Sequence, residues 1–127
     1  MAIPKKKALP PYQFVIDYLA IKEPVVKRMF GCFAIYVNGK LVLILRKRKD
    51  HPSDNGVWLA TTHAHHQSLR KDFPSMRSIK FLGKNPTGWQ VLPEKSADFE
   101  EAVIRACELI VRGDVRIGKK TTRQLIH

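Results

Sequence analysis

Cysteine is scarce in this chain. Cys32 and Cys107 are its only two in 127 residues, too few for a disulfide-stapled scaffold. Neither has metal-ligand spacing, so Cys32 in a predicted strand and Cys107 in a predicted helix read as small buried hydrophobes. Long apolar runs are missing too. Leu41-Val42-Leu43-Ile44-Leu45 falls far short of the roughly 18–20 residues that span a bilayer, so no membrane segment is expected. The start, Met1-Ala2-Ile3-Pro4-Lys5-Lys6-Lys7, is positive but leads into no apolar signal core. Export is therefore not expected, and a reducing cytoplasm is the expected compartment. Acidic residues are also few: 11 against 23 Lys and Arg, a net charge of +12.

What is present is an ordinary globular composition, 44% hydrophobic and 27% charged, in about one domain's length of chain. The charge is unevenly spread. Residues 1–84 carry 16 basic and 5 acidic side chains, residues 85–111 carry 2 and 5, and residues 112–127 carry 5 and 1. A basic surplus on the first two-thirds and the tail suits a polyanionic partner, nucleic acid first; the alternative is that it serves solubility alone. This divides the chain into a basic N-terminal extension (1–11), an α+β domain (12–112) and a basic C-terminal tail (113–127).

Pro11 is placed to open a first helix at N1, with Tyr12, Val15, Ile16 and Leu19 as its apolar stripe. Glu23-Pro24 ends that segment. A β-hairpin follows, turning at Asn38-Gly39, a pair suited to the two positive-φ positions of a type I′ turn. A two-residue loop pairs Val37 with Lys40, Ile35 with Val42 and Phe33 with Ile44; on the other face it pairs Tyr36 with Leu41, Ala34 with Leu43 and Cys32 with Leu45. Both faces are apolar, so helices or a second copy must cover them. Only three helices are available, one of them short and polar, so a homodimer using one hairpin face is expected. Three further strands are predicted at 57–60, 79–82 and 89–92, with a short helix over 64–72. Asp98 and Glu101 form a capping-box-like start for a last helix with Phe99, Val103, Ala106 and Ile110 inward and Gly113 as its C′ residue. The expected architecture is an antiparallel sheet of about five strands with N- and C-terminal helices packed on it.

This order of elements resembles the TfoX/Sxy N-terminal domain family. The likeness is sharpest at Lys27-Arg28-Met29-Phe30-Gly31 and Tyr36-Val37-Asn38-Gly39-Lys40, and continues through Leu92-Pro93 to the acidic-capped last helix. Leu69-Arg70 before Phe73-Pro74, with Trp89 ahead of that helix, is similar to the MmcQ/YjbR family. Both resemblances imply a small α+β domain with a curved antiparallel sheet. The first is associated with regulation of bacterial competence, the second with proposed DNA binding, and neither supplies a catalytic residue.

The run Arg46-Lys47-Arg48-Lys49 stands at a strand end, where cations in a wing would neutralise phosphates with salt-dependent, largely sequence-blind affinity. Arg70, Lys71, Arg77, Lys80 and Lys84 extend that candidate nucleic-acid surface. A solvated run that protects a sheet edge is the competing account. His63, His65 and His66 lack the i, i+4 pair and additional ligands of a zinc site, so no metal is expected. Cys32 or Ser68 beside a histidine lacks a positioned base and oxyanion donors, so no catalytic residue and no cofactor are assigned. Gly113 to Thr121 nearly spells a phosphate loop, but Lys120 stands where magnesium needs Ser or Thr and a helix precedes it. Trp58, Trp89, Phe33 and Phe81 read as core aromatics. The resulting expectation is a non-catalytic regulatory or accessory module that binds nucleic acid weakly. A protein-interaction module is the second reading, and an enzyme acting on an anionic substrate the third.

Overall fold

Two successive hairpins generate most of the sheet. The computed structural model describes residues 9–80 and 88–120. Within them, β1 (Val25–Met29), β2 (Cys32–Val37), β3 (Lys40–Arg46), β4 (Gly56–Leu59), β5 (Arg77–Ser78) and β6 (Gln90–Pro93) pair in the order β1-β2-β3-β4-β6-β5. A two-residue strand, β7 (Lys119–Lys120), also pairs with β3. Every pairing is antiparallel. The chain is thus α+β, as expected, with six to seven strands in place of about five. β1 and β7 are the additions. The strand expected at 79–82 is represented by β5 just upstream, while residues 81–82 lie outside the described residues.

The Asn38-Gly39 turn forms as expected, with φ of 53° and 77°. Val37 faces Lys40 and Tyr36 faces Leu41, but Ile35 then faces Leu43, Ala34 faces Ile44 and Phe33 faces Leu45. The expected register therefore slips by one residue beyond the turn. Val42 is the extra residue of a β-bulge, and its carbonyl accepts from Ala60 N at 3.0 Å. Val42 and Leu43 consequently both join the helix-side core. Fully burying each such side chain contributes roughly 1.5–3 kcal/mol.

The three α-helices among the described residues all pack on one face. α1 (Gln13–Leu19) supplies Val15 and Leu19, α2 (His63–Asp72) supplies Leu69, and α3 (Phe99–Val111) supplies Val103, Ala106 and Ile110. They meet Phe33, Ile35, Leu43, Leu45, Val57 and Leu59 of the sheet. Pro11 lies outside α1; Tyr12, at φ 57°, is the N-cap instead. Asp98 precedes α3 as expected, but its carboxylate accepts from Ser75 Oγ at 2.9 Å and makes no cap bond. At the other end Gly113, at φ 80°, sends its N–H to Ile110 O while Asp114 sends its own to Leu109 O. That pair of bonds is a Schellman motif.

Residues 113–120, the described part of the stretch expected as a basic C-terminal tail, pack against the domain. Ile117 is buried, Gly118 N donates to Ala60 O at 2.7 Å, and Lys119–Lys120 pair with Lys40 and Leu41. Arg116 ties this stretch to the helices, 3.1 Å from Asp72 on α2 and 2.8 Å from Asp114. Arg105 on α3 reaches the same Asp72 at 3.2 Å.

The opposite face carries a second cluster built around Cys32, Ala34, Tyr36, Ile44, Trp58 and Val91. The partly buried Met29 and Trp89 pack against it. No helix among the described residues contributes to this cluster, which lies on one of the two hairpin faces from which a homodimer was expected. Exposed apolar side chains include Val25 and Val26 on β1, Ile21 just before it and the turn residue Phe30, with Leu9, Tyr18 and Val115 elsewhere.

Candidate nucleic-acid interface

The β1–β2 connection is a two-residue turn, Phe30-Gly31, with φ of 51° and 77°. A type I′ geometry suits Gly31 and resists Phe30, since a bulky L-residue in the left-handed region is strained. Phe30 is nevertheless 94% exposed, so core packing does not hold it there.

Behind this turn lies a pocket of about 440 Å³ on the face away from the helices. Met29, Phe30, Cys32, Ile44, Trp58 and Trp89 line it, and Arg46, Arg48 and Asp50 complete the wall. The Trp58 and Trp89 rings meet at 6.0 Å, tilted by 55°. Trp58 is fixed by its indole N–H, which donates to Asp54 O at 2.8 Å. Burial pushes the Cys32 thiol above its ordinary value, outweighing Arg46 and Arg48, which favour the thiolate. Cys107, inside α3, is pushed up to about 12 by burial. Both shifts oppose thiolate formation at neutral pH.

The four-cation run does not form one patch. Arg46 is 2% exposed. Its guanidinium donates to His51 O (2.9 Å), Asn55 Oδ1 (2.8 Å) and Asp50 O (2.9 Å), so it fastens the β3–β4 loop and is withheld from solvent phosphates. Asn55 completes the fastening. It accepts from Arg48 N at 2.9 Å and donates to Arg48 O at 2.8 Å. Lys47 turns the other way and bonds Glu94, which also accepts from Tyr12 Oη at 2.8 Å. Burial raises the Glu94 carboxyl, but the bonds from Lys47 and Tyr12 outweigh it and hold the group below its ordinary value. Arg48 lies on the pocket side, its Nε 2.8 Å from Asp50 Oδ1. It also crosses Gly31 so closely that a β-carbon there would stand 1.8 Å from Nη1. Lys49 is exposed.

The remaining candidates are dispersed. Arg77 is tied to the fully buried Asp54 at 3.0 Å and to Ser53 O. Lys80 is exposed beside the same loop, its backbone N–H on Asp54 Oδ2 at 2.9 Å. Arg70 and Lys71 are exposed on α2, the helix side of the sheet. Lys84 lies outside the described residues. Of the histidines, His66 is buried with Nε2 3.1 Å from Gly88 O, and its ring lies 5.0 Å from that of His63. Burial holds its pKa below the ordinary value.

Sequence reasoning overlooked Phe30 and Lys27. Lys27 pairs with Ala34 and sits 5.4 Å from the Tyr36 ring, on the pocket face. The overlooked signal is the repeat of one turn: Phe30-Gly31 stands before β2 as Asn38-Gly39 stands before β3. No family model, no curated protein and no solved structure matches this chain.

Proposed function

We propose that the protein is a non-catalytic accessory module that binds nucleic acid through Arg48 at the Phe30-Gly31 turn and the exposed cations on the same side of the sheet. The observation that carries this reading is the loop that buried Arg46 and Asn55 hold against the turn: it seats Arg48 across Gly31 and leaves the adjoining Lys49 exposed, with Lys27 farther along the same face of the sheet. A backbone-fixed loop presents its cations with less ordering cost than a free basic tail. This surface is loop and strand with no helix shaped for the major groove, so affinity should be modest and nearly independent of sequence. The likeness of Met29-Phe30-Gly31 and Tyr36-Val37-Asn38-Gly39 to the TfoX N-terminal domain adds a regulatory setting to the same proposal.

Salt-titrated binding to DNA and RNA tests it. With about three cations engaged, the log–log slope should lie near −3 on duplex DNA and near −2 on single strands. Replacing Lys27, Arg48 and Lys49 with Ser should flatten the slope, whereas replacing Arg70 and Lys71 should not. Absence of salt-sensitive binding to either polymer at low ionic strength would overturn the proposal.

A second reading rests on β1, an edge strand among the described residues, with Val25 51% and Val26 36% exposed beside Ile21 at 78%. An uncovered edge of this kind invites strand addition by a partner or a second copy. Lys27 and Arg28 on the same strand are the usual guard against it. A concentration-dependent mass that Val25→Lys abolishes would favour this reading.

A further inference from the structure

The basic surface and the aromatic pocket share residues, and their chemistry fits one ligand. Arg48 both lines the pocket and belongs to the basic surface, and Phe30 forms part of the pocket wall while projecting into solvent. At about 440 Å³ the cavity falls within the roughly 300–1,000 Å³ of small-molecule sites. Its wall is aromatic and apolar, and Arg48 and Asp50 at its rim set hydrogen-bond donors beside a carboxylate acceptor 2.8 Å away. A flat heteroaromatic ring uses all of these features. An alkyl chain with an anionic head would use the apolar wall and Arg48 but would leave the flat aromatic faces and the Asp50 acceptor without a partner.

We propose that this pocket takes one unstacked nucleobase of a single-stranded nucleic acid, with Phe30 stacking on the strand and Arg48 and Lys49 holding the adjoining phosphates. The inference rests on the nucleic-acid reading above and adds to it a strand preference. A paired base has both faces stacked and cannot enter, so duplex would meet the cations alone. The strained backbone of Phe30 is consistent with a ring kept for contact. Glycine would suit the turn better at that position.

The test measures quenching of tryptophan fluorescence, with anisotropy, using a labelled single-stranded dodecamer and its duplex at several salt concentrations. The expected result is single-strand binding about ten-fold tighter than duplex binding, with tryptophan quenching by the single strand. Phe30→Gly should abolish most of this preference, leave duplex affinity and the salt slope unchanged, and keep the domain folded because the ring is exposed. Phe30→Trp should restore the preference, since any aromatic face stacks. Salt-sensitive binding with equal or tighter affinity for duplex, or a preference indifferent to Phe30→Gly, would overturn the pocket assignment and leave the basic surface standing. Absence of binding to both forms would overturn both.

Discussion

Two turns of the same geometry stand at opposite ends of β2. Asn38-Gly39 and Phe30-Gly31 both place two residues at positive φ, and the values differ by no more than 2°. At the first, the sequence supplies what the backbone wants: asparagine tolerates the left-handed region, and nothing lies within 4 Å of a β-carbon built on Gly39. At the second, a phenylalanine is held where its backbone is strained, almost wholly exposed, and the glycine beside it is covered by Arg48. One turn is explained by folding alone. The other keeps a residue that folding disfavours, beside a pocket and a basic loop, and that difference supports the proposal that nucleic acid is met at the β1–β2 end of the sheet.

The largest expected effect comes from removing the support behind the second turn. Arg46→Met leaves the Asn55 side chain and the His51 and Asp50 carbonyls short of a buried donor. At about 1–3 kcal/mol for each unmet buried group, stability should fall by on the order of 3 kcal/mol in urea denaturation. The Asn38-Gly39 turn has no comparable dependence. If Arg46→Met cost less than Lys49→Met, the loop would not need its buried guanidinium and the contrast between the turns would weaken.

Next in size are the two glycines. Gly39→Ala should cost only the left-handed backbone penalty, about 1–2 kcal/mol. Gly31→Ala should cost the same and also push Arg48 off its seat, so its loss should be the larger and nucleic-acid affinity should drop with it. Equal losses and unchanged affinity would show that Arg48 finds another resting place at no cost.

The sequence made the second turn hard to see. Asn38-Gly39 announces itself because both residues have turn chemistry. Phe30-Gly31 does not, and without it β1 has no reason to be drawn, since Val25-Val26-Lys27-Arg28 does not alternate cleanly and follows a proline. The bulge at Val42 escaped for a related reason: in a strand apolar on both faces, hydrophobic pattern does not fix register. The helices were more legible, because Val15, Leu19, Leu69, Val103 and Ala106 fall on periodic stripes. Within the candidate site the run Arg46 to Lys49 was visible, but its division was not. Strand alternation carries Arg46 and Arg48 to one side and Lys47 to the other, and only the fold shows that Arg46 is enclosed.

Exchanging the first residue of each turn gives a smaller effect with opposite signs. Phe30→Gly should leave stability unchanged or raise it by up to about 1 kcal/mol as strain is relieved. Asn38→Phe should lower it by about 1 kcal/mol. A substitution that stabilises the fold while weakening binding separates a residue kept for contact from one kept for structure. Loss of stability on Phe30→Gly would mean that the ring packs on the turn, and the asymmetry between the turns would disappear.

The smallest effect concerns the charge that restrains Arg48. The hydrogen bond from Arg48 holds the Asp50 carboxyl below its ordinary value, outweighing desolvation, which raises it. A carboxyl depressed in the fold contributes stability at pH values above its unfolded pKa of about 3.9, and that contribution is lost as pH falls through the folded value. At neutral pH the carboxylate is fully charged. It therefore shares Arg48 with any incoming phosphate and repels that phosphate as well. Asp50→Asn keeps an oxygen acceptor for Arg48 while removing the charge. Nucleic-acid affinity at pH 7 should rise roughly two- to five-fold, the scale of one exposed ion pair, with little change in urea midpoint. The same exchange at Asp17, on the surface of α1, should leave affinity unchanged. An equal rise from both variants would reduce the effect to net charge, whereas a rise confined to Asp50→Asn places Arg48 in contact with the strand.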